Sequence, residues 1–231
     1  MLLTLPIREV LPATPRARIV RLELAAPFPY EAGQAVLVAS HGYPERRPYS
    51  LATSSGDARR NGWLELLIGI SHAGQPGPHL TLDPGARVDV EGPVGAFVFP
   101  AAPAERQFLF VAGGTGVAPL RAMLQEALRL PDAKIGFVYS ARTPAEFAYG
   151  DELRGLARSG RIALEQTVTR PAGRDWDGLR GRIGRAELAP LVRDPATTRC
   201  FICGPPALVD EIPRILESLG VMKERIRIEE W

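Results

Sequence analysis

QFLFVAGGTGVAPLRAMLQEALRL, residues 107–130, changes its period in the middle. Gln107 to Gly113 is a nearly continuous apolar run, the pattern of a strand buried on both faces of a parallel sheet. From Ala118 onward Leu120, Met123, Leu124, Ala127 and Leu128 recur at helical spacing and fall on one face. Gly113-Gly114-Thr115-Gly116-Val117-Ala118-Pro119 joins the two patterns. Glycines let a chain turn tightly and let its backbone approach a ligand. A helix N-terminus presents free N–H groups and a positive dipole end to a phosphate. Pro119 suits a first helical turn, where its missing N–H costs nothing. It also stands where the standard dinucleotide fingerprint has its third glycine, so the loop departs from that fingerprint. A plain tight turn is the alternative reading.

Strands and helices keep alternating downstream. Residues 134–141, 161–168, 200–204 and 225–231 read as strands, and 151–160 and 207–220 as helices. Pro213 predicts an irregularity in the early part of the last helix. This alternation implies an α/β domain with an open, mostly parallel sheet. Cys203-Gly204-Pro205-Pro206 is a second glycine-bearing turn at the carboxyl end of a strand, the edge where ligands of such sheets gather. Cys200 and Cys203 have the C-x-x-C spacing of a redox pair or half a zinc site. On a strand, however, positions three apart face opposite sides, which favours two separately buried residues. No histidine neighbours Cys203 in sequence to activate a thiolate.

Upstream the pattern is different. Residues 17–25, 34–40, 63–70 and 86–94 alternate at period two, turn signals separate them, and no strong helical stretch intervenes. Such spacing predicts a small antiparallel β-barrel. The proline-bearing stretch Pro100-Ala101-Ala102-Pro103 is the natural boundary, giving domains of residues 1–102 and 103–231. In the barrel half, Arg47-Pro48-Tyr49-Ser50 offers a guanidinium for phosphate, a flat aromatic face and a hydroxyl. An ordinary strand edge would look the same. His41, His72 and His79 have no metal-ligand spacing and read as surface loop residues. Asp89 and Glu91 read as one face of a solvated edge.

The 231 residues carry a formal net charge of +2, which points to neither nucleic acid nor a membrane surface as partner. The most apolar run, Phe108 to Leu120, is broken by glycines and too short to cross a bilayer. The start, MLLTLPIREV, lacks a signal peptide's basic region and cleavage site. A cytoplasmic location is the default expectation.

Arg47-Pro48-Tyr49-Ser50, Gly92-Pro93-Val94-Gly95, Gly114-Thr115-Gly116-Val117-Ala118-Pro119 and Cys203-Gly204-Pro205-Pro206 occur in the order seen in the ferredoxin–NADP reductase superfamily, and the resemblance covers essentially the whole chain. It implies a barrel that holds FAD, or FMN in some members, and a second domain that binds NADPH or NADH; FAD is expected here. By that resemblance Arg47 and Pro48 belong to the flavin motif, with Arg47 on a flavin phosphate. Tyr49 would pack on the isoalloxazine and Ser50 would bond near N5. Gly114, Thr115, Gly116 and Pro119, with Gly204 and Pro205, would form the nicotinamide nucleotide site, with Cys203 near the nicotinamide. Trp231 resembles the terminal aromatic that covers the flavin in some members. Glu229 resembles an acid placed near the flavin, with Glu230 competing for that role because it shares a strand face with Ile226 and Ile228.

One loop departs from the family pattern. Where members carry Gly-x-x-Ser or Gly-x-x-Thr against the flavin pyrophosphate, this chain has Gly74-Gln75-Pro76-Gly77, with a glycine in place of the hydroxyl. Backbone N–H groups remain available, although Pro76 and Pro78 remove two. Arg142, after the second strand of the nucleotide domain, stands where a base can recognise the 2′-phosphate of NADP; Arg170, Arg174, Arg180 and Arg182 are further candidates. The expected reaction is hydride transfer between NAD(P)H and FAD. The electrons then pass to a separate acceptor such as a ferredoxin, a flavodoxin, an oxygenase component, a quinone or free flavin. An iron–sulfur cluster needs about four thiolates, which this chain does not supply alone. An electron-transfer subunit of a larger complex and a flavin-free nucleotide-binding module are the alternatives. The sequence does not fix the oligomeric state.

Overall fold

Two six-stranded sheets follow one another along the chain. The computed structural model describes residues 1–71, 74–170 and 176–230. The first half contains β1 (Leu2–Thr14), β2 (Ala17–Glu23), β3 (Ala35–Ser40), β4 (Arg47–Ser50), helix α1 (Ser55–Asn61), β5 (Trp63–Gly69) and β6 (Arg87–Val94). Its strands pair antiparallel in the order β4-β3-β6-β1-β2-β5. The outer strands meet where Leu51 bridges Leu66 and the Ala52 N–H donates to the Glu65 carbonyl at 2.8 Å, which closes the expected barrel. Val20 and Leu22, Val36 and Val38, and Val88 and Val90 point into it, two apart on each strand as the pleat requires.

Two elements of this half are not evident in the sequence. β1 lies between β6 and β2, pairing through residues 2–6 with the first and residues 7–14 with the second, and its register to β2 shifts twice. α1 interrupts a region that reads as all β. Ser54 caps it by accepting the Asp57 N–H, and Gly62 ends it at φ +79°. Asp89 also departs from expectation. It lies on β6, an interior strand, and is 7% exposed. Thr4 Oγ1 donates to it at 2.7 Å, His41 Nδ1 lies at 2.8 Å, and the Gly42 N–H donates at 3.1 Å. These bonds, His41 first, hold its carboxyl down at about 2. Glu91, two residues on, is half-exposed and pairs with Arg46.

The second half contains β7 (Gln107–Gly113), α2 (Val117–Ala127), β8 (Lys134–Ala141), α3 (Gly150–Arg158), β9 (Ala163–Val168), β10 (Leu179–Arg180), α4 (Arg185–Leu188), β11 (Thr198–Gly204), α5 (Pro206–Ser218) and β12 (Ile226–Glu230). Its strands are all parallel, in the order β10-β9-β8-β7-β11-β12. α5 runs through Pro213 without interruption. The strand order reverses beside β7, so β7 and β11 flank the switch point at which open sheets bind ligands. Cys200 packs with Leu188 and Ile212 on one face of β11, and Cys203 with Phe110 and Met123 on the other. Both are free, buried thiols, so the pleat does separate them.

The halves are fastened together. Phe97 and Phe99, on the segment leaving the barrel, pack against Phe201, and Phe99 also meets Phe108. A buried ion network crosses the same boundary. The Glu65 carboxylate on β5 accepts from Arg21 Nε at 2.7 Å, Arg121 Nη1 at 3.0 Å and the Tyr149 hydroxyl at 3.2 Å. Arg121, on α2, also donates to Glu152 and to the Ala52 carbonyl, each at 2.7 Å, and lies over the Tyr149 ring. Among the described residues no helix is long and apolar enough to cross a membrane.

Candidate active site

β7 and β11 are hydrogen-bonded neighbours, so their carboxyl ends bring two glycine loops side by side. The loops touch. A methyl group on Gly116 would lie 2.3 Å from the Cys203 carbonyl oxygen, and one on Gly113 would lie 2.8 Å from Pro205 Cδ. Gly204 is less confined but still tight, with its Cβ position 3.1 Å from the Gly113 nitrogen. Loop-on-loop packing therefore places its own demand for small residues on these three positions. Gly114 differs, adopting a left-handed φ of +55°. Its carbonyl accepts the hydroxyl of Tyr139 at 2.9 Å.

Above the loops lies a cleft of roughly 650 Å³, a size suited to a small organic ligand. Gly114, Thr115 and Pro205 line it from the loops, and Thr14, Arg16 and Ile70 from the barrel. Gly116 and Pro119 are buried beneath, Pro119 within the first turn of α2. Arg142, Arg170 and Arg182 line the cleft from the segments after β8, β9 and β10. Arg180 is exposed and donates to the Trp176 carbonyl; Arg174 lies outside the described residues. Arg16, in the turn between β1 and β2, crosses the cleft mouth to Glu146 at 2.6 Å.

β12 places Glu229 opposite Cys203. Burial pushes the Glu229 carboxyl up to about 7. Burial also raises the Cys203 thiol well above its ordinary value, and the charge of Glu229 raises it further. Cys203 is thus held as a buried, neutral thiol, which is not an activated nucleophile. Glu230, its rival in the sequence, is exposed. Trp231 lies outside the described residues.

The raised Glu229 carboxyl has a consequence for stability. Its ordinary value is 4.5, so between about 4.5 and 7 the unfolded chain has released a proton that the folded chain retains. Stability therefore falls as pH rises through that window. Glu229→Gln is expected to flatten this slope, raising the melting temperature more at pH 8 than at pH 5. Equal shifts at both pH values would refute it.

The Arg47–Ser50 motif occupies β4, an outer strand that pairs with β3 through Val36↔Tyr49 and Ala35↔Ser50. Arg47 and Pro48 are exposed, and Tyr49 and Ser50 half-buried. The Arg47 guanidinium is exposed and pairs with the exposed Glu45 at 3.9 Å, a loose contact that water screens. The Tyr49 hydroxyl lies 2.7 Å from His79 Nε2, and the two rings are parallel to within 11°. Burial pushes the Tyr49 phenol up to about 12. His79 is not the surface residue its loop suggests: it is 1% exposed, and among the described residues its Nδ1 has no hydrogen-bond partner. Gly74 and Gly77, at φ +78° and +141°, carry the loop around it. An exposed guanidinium and an aromatic face on one shelf, with a buried imidazole bonded to the phenol, fit an aromatic cofactor that bears phosphate.

A closed antiparallel barrel with such a shelf, followed by a parallel sheet with a cleft at its switch point, is the architecture of two-domain flavoprotein reductases. Residues 110–213 match the oxidoreductase NAD-binding domain family. Ferredoxin–NADP reductase B of Sorangium cellulosum is 35% identical over 237 residues, spanning 96% of this chain and 94% of that protein. The structure of the Amycolatopsis cytochrome P450 reductase GcoB superposes with a TM-score of 0.83 at 26% identity, over 99% of this chain and 70% of that one. A ferredoxin NADP+ reductase from Neisseria gonorrhoeae, solved with bound FAD and NADP, shares the fold at a TM-score of 0.79 and 19% identity, over 99% of this chain and 98% of that one. The chain belongs to the ferredoxin–NADP reductase superfamily. It is an NAD(P)H-dependent flavoprotein reductase, and FAD and NAD(P) are the cofactors of that class.

Proposed function

We propose that this reductase takes electrons from NADPH onto FAD and delivers them to a separate acceptor, such as a ferredoxin or a flavodoxin. The observation that carries the reading is the meeting of two glycine loops beneath an arginine-lined cleft at the sheet's switch point. Residues 1–102 would hold the flavin and residues 103–231 the dinucleotide. Bound there, the flavin supplies the chemistry, accepting a hydride from the nicotinamide and passing electrons onward. The chain's own work is to position two rings and exclude water. Arg47 neutralises flavin phosphate, Tyr49 supports the ring system, and Ser50 offers its hydroxyl near N5. Gly74 and Gly77 shape the pyrophosphate loop. Gly114, Thr115 and Pro205 would seat the nicotinamide nucleotide over Cys203, with Glu229 beside them; by the family resemblance Trp231, outside the described residues, would be the aromatic that covers the flavin.

The test is an absorbance spectrum of the purified protein, followed by anaerobic titration with NADPH and NADH. A flavin band bleached by reduced coenzyme supports the reading; a colourless protein, or a flavin that neither coenzyme bleaches, refutes it. The preference for NADPH rests on Arg142, Arg170 and Arg182. Among the described residues none of the three is committed to an ion pair, so each is available to a phosphate. A charge-assisted bond to phosphate is among the stronger hydrogen bonds. Arg142→Ala and Arg182→Ala are each expected to lower the NADPH-to-NADH ratio of kcat/KM by about tenfold. An unchanged ratio in both would remove Arg142 and Arg182 from coenzyme selection.

A further inference from the structure

The loop that lacks the family's hydroxyl is also the loop that buries a histidine. His79 follows Gly77 by two residues, and a methyl group at Gly77 would lie 3.2 Å from His79 Nδ1. That is tight contact, so a serine at 77 would press on the imidazole. The side chain missing at 77 and the ring present at 79 are thus two aspects of one arrangement.

The network assigns the imidazole proton. Burial, with the nearby charge of Arg47, lowers the pKa of His79 and keeps the ring neutral, although Glu45 opposes this. The buried Tyr49 phenol stays protonated, and a phenol donates better than it accepts. Tyr49 O–H therefore donates to Nε2, which leaves the ring proton on Nδ1. Among the described residues that N–H is a buried donor without a partner, an arrangement proteins seldom keep unless something completes it. It faces Gly77, a half-buried residue with no side chain, and is closed off from solvent in this structure, so a phosphate reaches it only when the 74–77 loop shifts.

We propose that His79 is a flavin-binding residue of this chain, its Nδ1–H donating to a phosphate oxygen of FAD in place of the hydroxyl absent at Gly77, while its Nε2 fixes the Tyr49 phenol. The inference rests on the flavin reading above, and the experiment separates the two. Apoprotein is titrated with FAD and with riboflavin, which has no phosphate, and quenching of flavin fluorescence gives both dissociation constants. His79→Gln keeps a group at the Nε2 position and removes the donor at Nδ1. His79→Asn keeps a donor near Nδ1 and removes the link to Tyr49. His79→Gln is expected to weaken FAD about tenfold or more while leaving riboflavin unchanged. His79→Asn is expected to preserve the ratio of the two constants. Equal weakening of both flavins by His79→Gln, or no weakening of FAD, overturns the proposal and leaves His79 as packing. If the glutamine variant fails to fold, NMR of the wild-type protein decides: the Nδ1–H proton must move downfield on adding FAD and stay in place with riboflavin, and any other pattern overturns the assignment. A wild-type protein that binds neither flavin defeats the flavin reading itself.

Discussion

Replacing Arg121 with methionine is expected to cost about 3 kcal/mol of stability and to lower the melting temperature by about 6–12 °C. Glu65 explains the size of the effect. It is 3% exposed, and its carboxylate lies between Arg21 of the barrel and Arg121 of the nucleotide half. Without Arg121 the buried carboxylate keeps one cation, and the Ala52 carbonyl and Glu152 each lose a donor. An exposed pair such as Arg154–Asp151 contributes only about 0–1 kcal/mol, because water screens it. Burial decides between the two cases. The expected cost lies in leaving Glu65 uncompensated more than in losing attraction, so the double variant Glu65→Met/Arg121→Met should recover most of the stability. Arg21 would still have Glu9, 2.8 Å away. Urea unfolding of the two variants checks this, and a double variant no more stable than the single one would refute it. The network joins the halves, so the single variant is also expected to show separate barrel and sheet transitions in place of one.

Legibility followed burial symmetry. β7 coincides with the run 107–113 because a strand buried on both faces is apolar at nearly every position; Phe108 to Val111 are all within 2% of complete burial. β8 was equally plain. The separation of Cys200 from Cys203 follows from the pleat alone. β1 escaped because it changes its main pairing partway along, carries Pro6 and Pro12, and shows no clean alternation of buried and exposed positions. α1 is too short to display a period, yet its end signals were present: Ser54 with Asp57 three residues on, and Gly62 behind. The buried polar residues were the least legible. His79 depends on Tyr49, 30 residues away, and Asp89 on His41 and Thr4, 48 and 85 residues away. No local pattern encodes such partners. The cleft was half-legible: both glycine loops stood out, whereas the use of Gly113, Gly116 and Gly204 to pack one loop on the other required the register of β7 against β11.

That packing makes the sharpest prediction about catalysis. Gly116→Ala is expected to lower kcat/KM for reduced coenzyme by about a hundredfold, the cost of displacing a binding loop by about 1 Å, while FAD binding stays intact. Gly116 has a helical φ of −60°, which alanine adopts freely, so no backbone strain contributes. The obstacle is steric. The new methyl would meet the Cys203 carbonyl oxygen at 2.3 Å, its carbon at 2.6 Å and the Gly204 nitrogen at 2.9 Å. All three are backbone atoms of β11, held between β7 and β12, and they cannot rotate away as a side chain would. The loops must part, and the part of the cleft that Thr115 and Pro205 line must widen. Gly42→Ala is the contrasting control. Its Cβ meets nothing within 4 Å, but its φ of +79° opposes a side chain, so it should lose about 1 kcal/mol of stability and leave kcat/KM unchanged. Steady-state kinetics with flavin content measured in parallel distinguishes the outcomes. Loss of flavin together with activity in Gly116→Ala would mean that the loops support the barrel site as well; unaltered kcat/KM would mean that the reduced coenzyme does not sit on these loops. Arg47 to Ser50 lie on β4 in the other half of the molecule, so the expected result is a yellow protein that its coenzyme reduces slowly.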